Sequence, residues 1–131
     1  MKRLLIILLS AITISACAYK AQPIYNVDKA LPDKAQSMSM DRIESAIIQG
    51  GAAYQWEFQK VGEGHLIATQ RAPKFQATVD VFFDRQRYKI VHNSTVGLRD
   101  TGETIHSHYN VWIRNLEKGI DTRLSQVALE A

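Results

Sequence analysis

The chain has 131 residues, of which 16 are lysine or arginine, 13 are aspartate or glutamate and one is cysteine. This length suits one domain with a modest core, and a lone cysteine excludes a scaffold held by internal disulfides. The formal net charge of +3 is not gathered into a basic face, so we expect no nucleic-acid partner.

Residues 1–16 have the layout of a secretory signal peptide. Two cations, Lys2 and Arg3, precede an apolar run from Leu4 to Leu9, as in the start and centre of such peptides. A transmembrane helix needs roughly 20 apolar residues, and Ser10 already interrupts this run. Cleavage after residue 16 would lower the basic count from 16 to 14 against 13 acidic residues, which leaves a formal net charge of +1.

The residues at the predicted cleavage site resemble the lipobox of bacterial lipoproteins. Ile14, Ser15 and Ala16 stand directly before Cys17. The resemblance implies that a diacylglyceryl group is attached to the thiol of Cys17, and two or more acyl chains give stable membrane anchoring. Ala18 stands where aspartate retains such proteins at the inner membrane, so the family sorting rule implies the outer membrane, facing the periplasm. Ordinary secretion with a free thiol is the alternative.

Residues 18–38 show no periodic apolar face and contain Pro23 and Pro32. Such a stretch has little surface to bury, so residues 17–38 are predicted to be a lipidated cysteine with a flexible tether. A single domain is expected over residues 39–131.

The first predicted helix begins near Ser39 or Asp41, because Asp41 and Glu44 have the spacing of a capping box, and it ends at Gly50 and Gly51. Alternating apolar residues then predict four strands, which are Tyr54 to Gln59, His65 to Arg71, Phe75 to Phe83 and Tyr88 to Thr95. After a polar loop, a stripe at helical spacing predicts a final helix, with apolar members Ile105, Tyr109, Trp112, Leu116, Ile120 and Leu124.

This order of elements predicts the α+β fold class. The expected architecture has two layers, a four-stranded antiparallel meander with an N-terminal and a C-terminal helix on one face. The opposite face is expected to be solvated, except at Phe82, and its polar residues are Gln55, Glu57, Gln59, Gln76, Thr78 and Asp80.

A short signature adds a family resemblance. The segment from Ile105 to Leu116 reads I-H-x-x-Y-N-x-W-x-x-x-L, and it resembles small Gram-negative lipoproteins to which no activity is assigned. Trp56 after the first helix and the strand from Tyr88 to Ser94 extend the resemblance, which supports the fold and implies no particular activity.

The histidines offer a possible metal site, but the pattern argues against one. His92, His106 and His108 have no accompanying cysteine, and ligands on one helix face need a spacing of three or four. Ser94 and Ser107 have histidine neighbours but no strand-to-helix elbow of the kind that exposes a nucleophile. We therefore predict no metal, no cofactor and no catalytic residue.

Two groups of residues are candidates for binding. His106, Tyr109 and Asn110 stand near the start of the final helix, where capping of free backbone groups is the favoured alternative. Arg85 and Arg87, with nearby Lys89, could face lipid or lipopolysaccharide phosphates together with Arg71 and Lys74 on another turn, although solvated turn residues are the commoner case.

The sequence favours a non-enzymatic envelope lipoprotein that is anchored through Cys17 and binds another envelope protein. The alternative is a periplasmic ligand-binding or hydrolytic module for cell-wall or lipid fragments that uses His106, Tyr109 and Asn110, an idea that burial of these side chains would oppose. Self-association through a strand edge, giving a homo-oligomer, is a third possibility.

Overall fold

The computed structural model describes residues 20–130 of the chain. The predicted signal peptide, the predicted lipidation site at Cys17 and Ala131 lie outside these residues. The described chain contains two helices, α1 (Met40–Ala52) and α2 (Ser107–Leu129), and a short 3-10 helix (Asp33–Ser37). Its strands are β1 (Ala21–Pro23), β2 (Val27–Ala30), β3 (Glu57–Gly62), β4 (His65–Arg71), β5 (Gln76–Phe83), β6 (Arg87–Val96) and β7 (Thr104–His106).

The main sheet has five strands in the order β2-β6-β5-β4-β3, and a separate two-stranded sheet joins β1 to β7. All of the pairings are antiparallel. The predicted α+β class is therefore confirmed. The expected four-stranded meander is incomplete, because β2 adds a fifth strand to β6, with Val27 opposite Ile90 and Ala30 opposite Arg87.

The tether predicted over residues 18–38 is wrong for residues 20–38, which belong to the fold. Four side chains of this N-terminal segment lie in the core, namely Val27, Leu31, Ala35 and Met38. They fall on a strand, a connection and a 3-10 helix, so no single repeat links them. A search for one period over the whole segment therefore finds no apolar face, although each short piece has one.

Helix α1 begins where the sequence predicts but continues past the predicted stop. The Ser39 hydroxyl accepts a hydrogen bond from the Arg42 amide at 3.3 Å, which is the usual N-cap contact. Gly50 and Gly51 lie inside the helix and are buried. Their role is close packing, because Gly50 faces Gly119 of α2 and Gly51 faces the ring of Phe58.

Helix α2 carries the predicted apolar stripe, but it starts two residues later than Ile105. Ile105 lies in β7, a strand that the sequence did not predict. The stripe is buried against the sheet, and its members include Tyr109, Trp112, Leu116, Ile120 and Leu124. Within residues 20–130, no helix has the length and apolar character needed to cross a membrane.

The inward face of the sheet and the two helices share one apolar core. The predicted alternation holds along β5, where Ala77, Val79 and Val81 are buried and the residues between them are only partly covered. Gln55 was predicted on the solvated face, but it lies in the turn before β3 with a left-handed backbone (φ 70°). A bulge in β6 pairs Thr78 with Ser94 but Val79 with His92.

Candidate functional site

His106 caps helix α2, as the capping alternative predicts. Its Nδ1 atom accepts a hydrogen bond from the backbone amide of His108 at 3.0 Å, which satisfies one of the free donors of the first turn. The rings of His106 and His108 lie 6.3 and 5.7 Å from the Phe75 ring. The three rings form a small aromatic cluster where the sheet meets the start of α2.

Asn110 is buried, and its amide group is fully used within the chain. The Oδ1 atom accepts from the Tyr25 amide at 3.0 Å, and Nδ2 donates to the Pro23 carbonyl at 2.9 Å and to Gln22 Oε1 at 3.2 Å. Asn110 therefore fastens the N-terminal segment to α2. The predicted capping role is wrong for Asn110, because the backbone groups that it binds belong to residues 23 and 25 and not to the loop before the helix.

Tyr109 lies in the core and faces His92, which follows Tyr88 and Ile90 on the inward side of β6, just before the bulge. The two rings meet edge to face with centroids 5.4 Å apart. The Tyr109 hydroxyl is buried without a hydrogen-bond partner among residues 20–130, and burial raises its pKa. His92 Nε2 lies 2.8 Å from Asp100 Oδ2 without hydrogen-bond alignment, and this contact brings the loop after β6 close to the strand.

A polar network joins β2 to the middle of α2. Lys29 Nζ donates to Asp121 at 2.7 Å and to Glu117 at 3.2 Å, while the Tyr25 hydroxyl donates to Glu117 at 2.7 Å. The Tyr88 hydroxyl donates to the second oxygen of Asp121 at 2.6 Å. The hydrogen bond to Asp121 raises the pKa of Lys29, and the hydrogen bond to Glu117 raises the pKa of Tyr25. The pKa of Tyr88 is raised mainly by burial and further by its hydrogen bond to Asp121.

The two predicted basic turns lie at opposite ends of the sheet. Arg71 pairs with Gln76, which is the first residue of β5. Arg87 comes after the turn that follows the last residue of β5. Arg87 donates two hydrogen bonds to Asp28 Oδ1, at 3.0 and 3.2 Å. Arg85 is exposed on the same turn, so the five cations named from the sequence do not form a single patch.

Asp84 holds the β5–β6 turn in shape. Its Oδ1 atom accepts from the backbone amides of Gln86 and Arg87 at 2.7 and 2.9 Å, a common turn contact for aspartate. These two bonds lower the pKa of Asp84. The turn thereby presents Arg85 and Arg87 in a defined geometry.

The solvent side of the sheet carries a cluster that the sequence analysis missed. His65 Nε2 lies 2.7 Å from Asp80 Oδ1, and Asn93 Nδ2 donates to the other oxygen of Asp80 at 3.0 Å. The ring of Phe82 stacks on His65 with centroids 4.3 Å apart. Asp80 and Phe82 were both predicted on the solvated face of the sheet. The register of the β4–β5 hairpin pairs His65 with Phe82, so counting residues from the turn would have placed His65 in the same cluster.

An open depression lies beside this cluster, at the β5–β6 turn. It has a volume of about 560 Å³, and its lining includes Phe82, Arg87, Lys89 and Val91. Phe82 is 40% exposed. We call the surface formed by His65, Phe82, Arg87, Lys89 and Val91 the hairpin patch. Of the cations named from the sequence, it contains Arg87 and Lys89.

No group of three histidine, cysteine, aspartate or glutamate side chains within residues 20–130 has a metal-binding arrangement. Comparison of the chain with protein-family models, with curated proteins and with solved structures finds no match. Membership of a Gram-negative lipoprotein family therefore stays a prediction from the sequence.

Proposed function

We propose that this protein is an outer-membrane lipoprotein, anchored through Cys17, whose folded domain binds another envelope protein through the hairpin patch and performs no catalysis. The anchor is supported by the lipobox-like residues before Cys17. The partner site is supported by one observation above all, an aromatic side chain left exposed on the sheet beside an arginine that binds Asp28.

The chemistry of the hairpin patch suits a protein partner. Aromatic residues and arginine are enriched in protein interfaces and supply most of their strongest contacts. Phe82 is held in place by stacking on His65, and Arg87 is held by Asp28. Binding such pre-ordered side chains loses little conformational entropy, which favours affinity.

The position of the patch also suits a partner in the periplasm. The described chain begins beside β7, because Ala21 pairs with His106. The hairpin patch lies toward the other end of β5, and the six residue steps from Gln76 to Phe82 span about 20 Å. A domain anchored near its first residues would therefore hold the patch away from the membrane.

The ligand-binding alternative has less support. It uses His106, Tyr109 and Asn110, of which Tyr109 and Asn110 are buried. The amide of Asn110 is engaged by three groups of the chain. Access for a ligand would require the N-terminal segment to leave α2.

The anchor is tested by the mass of the N-terminal peptide and by fractionation of the producing cells. We expect a diacylglyceryl group on Cys17 in the outer-membrane fraction, and a Cys17→Ser variant that is absent from that fraction. An unmodified Cys17, or a Cys17→Ser variant that still reaches the outer membrane, would contradict lipid anchoring.

The partner site is tested by photo-crosslinking in intact cells. A benzophenone amino acid at Phe82 should give an adduct with one envelope protein, identified by mass spectrometry, and Arg87→Glu should weaken that adduct. Probes at Lys118 and Gln126, which are exposed on α2, are the matched controls. Adducts only with lipid or glycan, or equal yields at the control positions, would count against a protein partner.

A further inference from the structure

The folded domain starts almost immediately after the predicted anchor. The carbonyl of Lys20 accepts a hydrogen bond from the amide of Ser107 at 3.2 Å, so the chain is already fixed to α2 at residue 20. Only two residues stand between Cys17 and Lys20, and three Cα steps span at most about 11 Å. A lipid on Cys17 would therefore hold this end of the domain close to the surface of the bilayer.

Several parts of the chain meet at this end, which we call the anchor end. The β4–β5 turn reaches it because the ring of Phe75 packs on His106. The loop after β6 reaches it because the His106 amide donates to the Leu98 carbonyl at 2.9 Å. The anchor end thus consists of residue 20, the turn at 71–75, the loop at 96–99 and the start of α2.

Apolar side chains are exposed at the anchor end. Val96 is 63% exposed at the end of β6, and Val111 is 50% exposed near the start of α2. A single exposed valine is common on a protein surface. Two of them at the end where the chain leaves toward Cys17 are suited to the boundary between headgroups and acyl chains.

The charge at the anchor end favours an anionic surface. Lys20, Arg71 and Lys74 are all exposed there. Two acidic residues, Asp100 and Glu103, follow the loop at 96–99. Asp100 contacts His92 and accepts a hydrogen bond from the Thr95 hydroxyl at 3.2 Å, and Glu103 is exposed, so the three cations outnumber the acidic residues. Cations close to a membrane are attracted by anionic headgroups within a Debye length.

We propose that the anchor end lies against the leaflet that holds the lipid on Cys17. Val96 and Val111 contact its headgroup region, and Lys20, Arg71 and Lys74 lie beside phospholipid phosphates. This inference rests on the proposed lipidation of Cys17. In this arrangement only one of the two basic turns contacts the membrane, because Arg85 and Arg87 lie at the far end of the domain and do not reach the phosphates.

The chain allows a clean test, because its only cysteine loses its thiol when it is lipidated. A cysteine introduced by Val96→Cys or Val111→Cys is then the single site for a fluorescent label, and Arg85→Cys gives the matched control at the far end. The lipidated protein is incorporated into vesicles of phosphatidylethanolamine and phosphatidylglycerol that carry a nitroxide on some headgroups.

We expect nitroxide quenching that is several-fold stronger at residues 96 and 111 than at residue 85. Equal quenching at the three positions, in protein that floats with the vesicles and carries lipid on Cys17, would overturn the seating on the membrane and leave the anchor intact. Absence of lipid on Cys17, with no flotation, would instead overturn both proposals.

The role of the cations has its own control. Arg71→Glu with Lys74→Glu should reduce quenching at residue 96 in vesicles that contain phosphatidylglycerol. The matched pair, Lys34→Glu with Arg85→Glu, changes the charge equally but away from the anchor end, and should leave the quenching unchanged. Equal effects of the two pairs would overturn the contact between these cations and the phosphates.

Discussion

Gly50 of α1 and Gly119 of α2 lie against each other where the two helices cross. A Cβ atom added to either glycine would meet the carbonyl oxygen of the other. The helices can therefore approach backbone to backbone only because both positions lack a side chain, and this contact sets the distance between the two helices.

Gly119→Ala should lower the free energy of unfolding by about 1–3 kcal/mol, because the new methyl group forces the helices apart. This loss is expected despite a gain in helix propensity of about 1 kcal/mol. Urea unfolding in a Cys17→Ser background measures it. The control is Gly62→Ala, where nothing lies within 4 Å of the added Cβ, and an equal loss there would show that the helix crossing is not the cause.

Tyr88 and Tyr109 are both buried but differ in their hydroxyl groups, so replacement by phenylalanine should have opposite effects. Tyr88→Phe removes a hydrogen bond to the carboxylate of Asp121 and should lower the free energy of unfolding by about 1.5–3 kcal/mol. Tyr109→Phe removes a buried hydroxyl that has no partner among the described residues and should raise it by about 1 kcal/mol. Loss of stability in Tyr109→Phe would mean that this hydroxyl has a partner in solution.

The tyrosines also predict instability at alkaline pH. The pKa of Tyr88 in the folded protein is raised above its ordinary value of 10.0. Above about pH 10 the unfolded chain releases this proton while the folded chain keeps it, so stability is full below that pH and falls as the pH rises. Lys29 and Tyr25 act in the same direction.

Unfolding in urea at pH values between about 9 and 11 measures this slope. Tyr88→Phe should reduce its steepness by up to about 1.4 kcal/mol per pH unit. An unchanged slope would contradict the assignment to Tyr88.

Asn110 should control the attachment of the N-terminal segment. Asn110→Ala leaves the Tyr25 amide and the Pro23 carbonyl without their partner, and should lower the free energy of unfolding by about 2–4 kcal/mol. Hydrogen exchange at the Tyr25 amide should accelerate more than exchange in β5. Asn115→Ala, on the same helix, is the control, since Asn115 is only partly buried. Uniform acceleration in both regions would argue against local release.

The candidate site was partly accessible from the sequence. The capping role of His106 was predicted from its place near the start of an amphipathic stripe, and the exposure of Phe82 follows from strand alternation. The His65–Asp80 contact was not found, because it depends on the register of the β4–β5 hairpin. Arg87 was named as a cation, but its partner Asp28 stands 59 residues away in the chain, in a segment predicted to be unfolded.

The sequence by itself determined the elements that have a sustained period. The alternation in β5 and the stripe of α2 each extend over several residues, so local sterics and burial of one face are enough to predict them. Tertiary structure alone decided the place of β2, the bulge in β6 after His92 and the continuation of α1 past Gly50. In each case the stabilising partner is distant in the chain, and its contribution has no counterpart in the order of neighbouring residues.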